Sequence, residues 1–335
     1  MANIANDGIN AEYGGAQLNE IFYEPVFRSD DIMRNYRVIP NVKHVMNVYT
    51  AAALTKIVEV YSTCSATSGS KQFDISDKVI TAGRCRVALE QCTDEFFGTF
   101  IEESYRSGAD VMNIEGTQLA SAIVNRAVKG IASDVVRLAW GGDTTAGTDA
   151  AYLVFDGWMK LMAAETVLTV DAVAPADPSA ANALALIMKI YDGAPAALQQ
   201  VPAADKKIFV TPKLYNAYLQ NLEGNGADLA IVNRVDGAPR VSFRGVELVP
   251  MYEWNTILAD TNPALFLNGT TNFTEGACYT AVENLIIGSD VTDPEGSFKV
   301  FYDDLEEKMF FRGYFKLGVQ YLYSSLVQWG IVKDI

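Results

Sequence analysis

Ile114-Glu-Gly-Thr-Gln-Leu-Ala-Ser-Ala-Ile-Val-Asn-Arg-Ala-Val-Lys-Gly-Ile-Ala-Ser-Asp-Val-Val-Arg-Leu-Ala-Trp140 is the stretch whose reading decides the fold. Leu119, Ala120, Ile123, Val124, Ala127, Val128, Ile131, Val135 and Leu138 recur at steps of three and four, which draws one apolar stripe along a helix. Arg126, Lys129, Asp134 and Arg137 fall off that stripe. Gly141-Gly142 and the turn-rich run from Asp143 to Asp149 end it. At ~1.5 Å per residue the helix is roughly 40 Å long, about the span of a small domain. Such a helix needs a flat partner.

Working outward, the partner lies near the other end of the chain. Lys308 to Tyr323 reads as a long aromatic strand. Phe311, Gly313, Phe315, Leu317, Val319 and Tyr321 share one face, and Phe310, Arg312, Tyr314, Lys316 and Gln320 the other. A strand at Ser297–Tyr302 and a turn at Asp303–Glu307 make it a closing hairpin. Between helix and hairpin, residues 150–290 read as mixed α/β. Helices are expected at 156–165, at 181–191 (capped from Ser179 or Asn182) and at 213–223, where Pro212 opens the first turn and Gly224 stops it. Strands are expected at 206–211, 243–252 and 264–267.

Before the long helix, residues 94–108 predict another helix. Val42–Tyr49 and Leu54–Thr63 are rich in β-branched and aromatic residues, and Lys78–Glu90 returns after the polar tip Thr63–Ser70. That is a long two-stranded excursion, marginal alone and in need of a partner surface. Residues 1–40 form an arm, with a short helix at 16–23, too poor in apolar residues to make its own core.

Composition removes several functions. With 335 residues and 50% hydrophobic content the chain can bury a sizeable core. A net charge of −15 argues against nucleic-acid binding by bulk attraction. No signal peptide and no apolar run of membrane-spanning length is read. Cys64, Cys85, Cys92 and Cys278 match no zinc or redox spacing and are expected as free thiols. The lone histidine, His44, removes most histidine-dependent metal and nucleophile chemistry. No phosphate loop or dinucleotide fingerprint is present. The acids Asp303, Asp304, Glu306 and Glu307 read as a solvated turn, and Trp158 as core. No catalytic, cofactor or metal site is expected, and the chain is not read as an enzyme.

The order of parts carries more than any motif: arm, long hairpin, long helix, α/β domain, aromatic hairpin. With it go the strings Phe155-Asp-Gly-Trp-Met-Lys-Leu161, Lys207-Ile-Phe-Val-Thr-Pro-Lys-Leu-Tyr-Asn-Ala-Tyr218, Phe243-Arg-Gly-Val-Glu-Leu-Val-Pro250 and Phe311-Arg-Gly-Tyr-Phe-Lys-Leu-Gly-Val-Gln-Tyr321. Together they resemble the major capsid proteins of tailed bacteriophages, the Hong Kong 97 type fold. The resemblance implies an α+β subunit with an N-terminal arm (1–40), an extended loop (41–93), a peripheral domain carrying the spine helix (94–149), an axial domain (150–290) and the long C-terminal strands of the peripheral domain (291–335). It implies self-assembly into hexamers and pentamers of an icosahedral head shell, in the host bacterial cytoplasm, around double-stranded DNA held by weak non-specific contact. A separate scaffolding protein, a portal and decoration proteins are the implied partners, with no membrane. The expected inter-subunit contacts are Cys64, Ser68, Gly69 and Lys71 at the loop tip and Arg126, Lys129 and Arg137 on the helix. Lys56, Lys71 and Lys78 lie in the loop, but nothing marks an Asn partner for a covalent crosslink. An encapsulin-like nanocompartment shell is the nearest alternative, and a soluble α/β enzyme the alternative from another class.

Overall fold

The computed structural model describes residues 10–13, 30–51, 75–92, 118–145, 150–162, 167–169, 177–225, 241–259, 273–290, 298–303 and 308–334. In chain order these form β1 (Asn10–Tyr13), α1 (Asp30–Asn35), β2 (Arg37–Ile39), β3 (Val45–Ala51), β4 (Ile75–Thr81), β5 (Gly83–Cys92) and the long helix α2 (Gln118–Gly141). Then come α3 (Trp158–Leu161), β6 (Val167–Thr169), α4 (Ala183–Asp192), α5 (Ala196–Gln200), β7 (Lys206–Val210), α6 (Pro212–Gly224), β8 (Ser242–Phe243), β9 (Val246–Pro250) and α7 (Tyr252–Ala259). The chain closes with β10 (Phe273–Ala281), β11 (Leu285–Ser289), β12 (Phe298–Asp303), β13 (Lys308–Tyr321) and β14 (Val327–Asp334). The expected helices at 16–23 and 94–108, and the strands at 54–63 and 264–267, lie outside the described residues.

Three sheets organise these elements. The first runs β1-β12-β13-β11-β2, with β5 on the other edge of β13. The second runs β6-β14-β10-β7-β9-β8, and β3 pairs β4 alone. Central position explains β7, whose five residues are all buried between β10 and β9. Its two lysines are compensated. Lys206 Nζ donates to the carbonyls of Leu198 and Gln199, at 3.3 Å each. Lys207 Nζ donates to Asn35 Oδ1 at 2.6 Å and lies 3.4 Å from Glu247. Pro212 opens α6 at its first turn, as its fixed φ and missing N–H favour. Asn182 precedes α4, and its side-chain oxygen accepts from the Ser179 N–H at 2.8 Å rather than capping the helix itself.

From Ala127 on, helix α2 buries the expected stripe: Ala127, Val128, Ile131, Val135 and Leu138 are all in the core, while the side chains of Leu119, Ala120, Ile123 and Val124 lie outside the described residues. That core also holds Phe311, Phe315, Leu317, Val319 and Tyr321, the expected inner face of β13. Helix and strand therefore contribute to one core. The backbone neighbours of α2 are α3 and α7, and α3 also neighbours β13, where the Trp158 indole donates to the Gln320 carbonyl at 3.0 Å. All four tryptophans of the chain converge here. Ring centroids place Trp140 5.0 Å from Trp158, 5.0 Å from Trp254, 5.4 Å from Phe209 and 5.9 Å from Trp329.

The structure departs from the sequence reading in four places. The expected return strand 78–90 divides: β4 closes the hairpin with β3, while β5 leaves it to pair along β13. The corner is at Gly83, where a Cβ would fall 2.4 Å from the Val154 carbonyl oxygen, so only glycine fits. The expected strand 243–252 is interrupted: Phe243 ends β8, Arg244 and Gly245 turn at φ 48° and 83°, Val246–Pro250 is strand β9 as expected, and Tyr252 begins α7. Residues 327–334 pair with β10 in the second sheet, whereas β12 and β13 of the same expected unit 291–335 lie in the first. Conversely β11, inside 150–290, pairs with β13 in the first sheet. Hydrogen-bond pairing here crosses the boundaries that sequence order suggests.

Candidate functional site

The chemistry of catalysis is thin among the described residues. No group of three or more His, Cys, Asp or Glu is arranged to hold a metal. His44 is exposed. Cys85 and Cys278 are buried free thiols. Burial, with the Asp290 carboxylate adding to it, pushes the Cys85 thiol up to about 12, and burial raises Cys278 as well. Neither supplies a thiolate nucleophile at neutral pH.

One compact polar cluster stands at the C-terminal end of α2. Lys160 Nζ lies 2.6 Å from Asp143 Oδ1, 2.7 Å from Asp156 Oδ1 and 3.0 Å from Thr145 Oγ1. Thr144 donates to Asp156, and Thr145 to Asp143. Burial opposes ionisation of both carboxyls, yet the Lys160 ammonium and the threonine donors outweigh it and hold both below the usual carboxylate range. Beside them the backbone is pressed together: a Cβ on Gly142 would meet the Phe155 carbonyl oxygen at 2.4 Å, and one on Gly157 the Trp140 carbonyl oxygen at 2.7 Å. The contacts converge on Oδ1 of both carboxylates from within the chain, so the cluster fastens the turn after α2 onto α3.

The exposed faces are more informative. In the β3–β4 register, Val45 lies opposite Thr81, Asn47 opposite Val79, Tyr49 opposite Asp77 and Ala51 opposite Ile75. Paired residues share a face. All eight are exposed, among them Tyr49 at 72%, Ile75 at 64% and Val45 at 62%. The other face is anchored. Ile80 is fully buried with Val42 and Ile286. Gln320 Nε2 donates to the Val79 carbonyl at 2.9 Å, and Lys78 Nζ lies 3.3 Å from the Tyr321 ring centroid. The hairpin is thus held at its root by β13 and presents an apolar face to solvent, an unusual arrangement for a monomer.

The arm docks on its own subunit. Ile32 and Tyr36 enter the tryptophan core, Arg34 pairs with Glu247 at 2.5 Å, and β1 extends the first sheet beside β12. Of the residues expected at inter-subunit contacts, Cys64, Ser68, Gly69 and Lys71 lie outside the described residues. Arg126 and Lys129 are exposed on α2. Arg137 is engaged within its own chain, 3.1 Å from Asp134 and 4.7 Å above the Tyr152 ring. Sequence reasoning missed Val45, Tyr49, Ile75 and Val79, because the apolar residues of both strands fall on both faces and carry no clean alternation.

No protein-family model matches the chain, and neither does any curated protein. Solved structures do. A chain of the satellite phage P4 procapsid matches at TM-score 0.55 and 11% identity, over 93% of this chain and 98% of that one. A chain of the capsid of the native GTA particle matches at TM-score 0.52 and 10% identity, over 99% and 95%. A chain from the capsid of the myovirus phage XM1 matches at TM-score 0.50 and 10% identity, over 91% of each. At such identities the likeness concerns the fold, and nearly the whole chain takes part in it. This chain has the fold of phage capsid subunits, the family its sequence resembles.

Proposed function

We propose that this chain is the major capsid protein of a tailed phage, assembling into hexamers and pentamers that close an icosahedral head around double-stranded DNA. One observation carries the reading: capsid chains share its fold over at least 91% of its length and 91% of theirs. The exposed apolar face of β3–β4 supports it, since a hairpin of that kind gains stability by covering a second copy. In this reading residues 1–40 are the arm, 41–93 the extended loop, 94–149 and 291–335 the peripheral domain, and 150–290 the axial domain. Two amendments follow from strand pairing: β14 belongs with the axial sheet and β11 with the peripheral one. A scaffolding protein and a portal are the proposed partners, and the protein acts without catalysis.

The test is assembly. The expressed protein, alone and with a co-expressed scaffolding protein, is followed by size-exclusion chromatography and negative-stain microscopy. Closed shells of uniform size are the expected product. A monomer or small discrete oligomer under both conditions overturns the proposal.

A further inference from the structure

The outward face of the first sheet carries the opposite charge to the rest of the chain. The β5–β13 register sets Arg86 opposite Tyr314, Ala88 opposite Arg312 and Arg84 opposite Lys316, all on one face. Arg84, Arg86, Ala88 and Arg312 are exposed, and Tyr314 is 50% exposed. The alternate residues Cys85, Phe311 and Phe315 point the other way, into the core shared with α2. Arg312 is steadied by aromatic rings rather than by an acid, 5.3 Å from the Phe301 centroid and 5.0 Å from that of Phe310. Among the described residues none of the three guanidiniums is paired with a carboxylate. Glu90, an acid on the same face, is taken by Lys308 at 3.5 Å. Three unpaired arginines around an exposed tyrosine stand out in a chain with 41 acids and 26 lysines and arginines.

We propose that this face binds the phosphate backbone of double-stranded nucleic acid, which on the capsid reading is the packaged DNA. Guanidinium forks match phosphate oxygens bidentately, and a tyrosine hydroxyl adds a donor that ignores sequence. Residues two apart on a strand lie about 6.8 Å apart and diagonal partners about 7–8 Å, so the charges act as one patch. Each charge lies within the ~10 Å Debye length at 0.1 M salt of its nearest neighbour in the patch, so adjacent guanidiniums reinforce one another while more distant acids are screened. A protein partner fits less well: apolar surface, which protein contacts bury, is concentrated on the β3–β4 hairpin. Helix α2 offers only Arg126 and Lys129 as exposed basic residues, with the acid Asp134 exposed on the same helix.

Binding of unassembled full-length protein to a labelled DNA duplex, followed by fluorescence anisotropy, tests this. Three phosphate contacts give a log–log salt slope of about −2.7, so affinity falls about 40-fold from 50 to 200 mM salt. The double variant R84Q/R86Q, which leaves the aromatic-held Arg312 in place, is expected to bind at least about tenfold more weakly at 50 mM, with a slope near −0.9. The control R126Q/K129Q is expected to bind as wild type. No binding by wild type, unchanged binding by R84Q/R86Q, or a loss that follows the helix variant instead overturns the assignment. So does an R84Q/R86Q protein that keeps its melting temperature but no longer forms shells, because the face is then a subunit interface. Wild-type protein that binds duplex yet never forms shells overturns the capsid reading and leaves the polyanion face standing.

Discussion

Trp140 is the residue on which the interior converges. It is fully buried at the end of α2, and its indole donates to the Tyr36 hydroxyl at 2.9 Å. Arm, long helix, α3, α7 and second sheet all touch it or its ring neighbours. Trp140→Ala is expected to cost about 3–5 kcal/mol, the range for emptying a large aromatic site. Trp140→Phe keeps much of the ring packing and loses the donor, so urea denaturation is expected to rank it between wild type and Trp140→Ala. Equal losses would mean that the hydrogen bond, not the packing, dominates. The Lys160 cluster makes a second residue-level prediction. Asp143 and Asp156 have folded-state values below their unfolded ones, so their contribution is present above the unfolded value near ~3.9 and is lost as pH falls through the folded values. Lys160→Met removes the cation responsible. The wild type is then expected to lose denaturation midpoint steeply below about pH 4, and the variant to start lower and lose less. Parallel acid limbs would show that the cluster contributes nothing to the pH dependence. In the sequence, Trp158 was readable as core, and Trp140 only as the end of the long helix. The meeting of Trp140 with Trp254 and Trp329 was not readable, because it joins segments more than a hundred residues apart.

At the scale of elements, the local signals were strong where one face is buried and the other wet. The stripe of α2, the alternation of β13 and the Pro212 start of α6 could be read from the sequence because 3.6- and 2-residue periods survive in such elements. β10, β11 and β14 went unread. All are buried on both faces for much of their length, and a continuous apolar run such as Leu285-Ile-Ile287 carries no period. The break at Gly83 was invisible for another reason: it is imposed by the Val154 carbonyl, which is distant in sequence. The hairpin supplies the prediction at this scale. Tyr49→Lys with Ile75→Lys changes only the solvent face of β3–β4, leaving Ile80 and Thr50 buried beneath. The subunit is expected to keep its stability within about 0.5 kcal/mol, as surface changes usually do, while shell assembly fails or needs much higher concentration. A variant that assembles as wild type would show that this face is not an inter-subunit contact.

At the scale of the whole molecule, charge and apolar surface pull in different directions. Each copy carries −15, so copies brought side by side repel one another over the range that salt permits. The attraction available to oppose this is mainly apolar, on a hairpin whose exposed face includes Val45, Tyr49, Ile75 and Val79. Hydrophobic burial changes little with moderate salt, whereas the Debye length shrinks from about 10 Å at 0.1 M to about 3 Å at 1 M. Raising sodium chloride from low to moderate concentration is therefore expected to lower the protein concentration at which shells appear, as read by light scattering. Were ion pairs between copies the main glue, the same salt would raise that threshold instead. Duplex binding at the arginine face must move the opposite way, weakening with every increment of salt. Opposite salt dependences in one protein would separate the surface that joins copies from the surface that meets the nucleic acid.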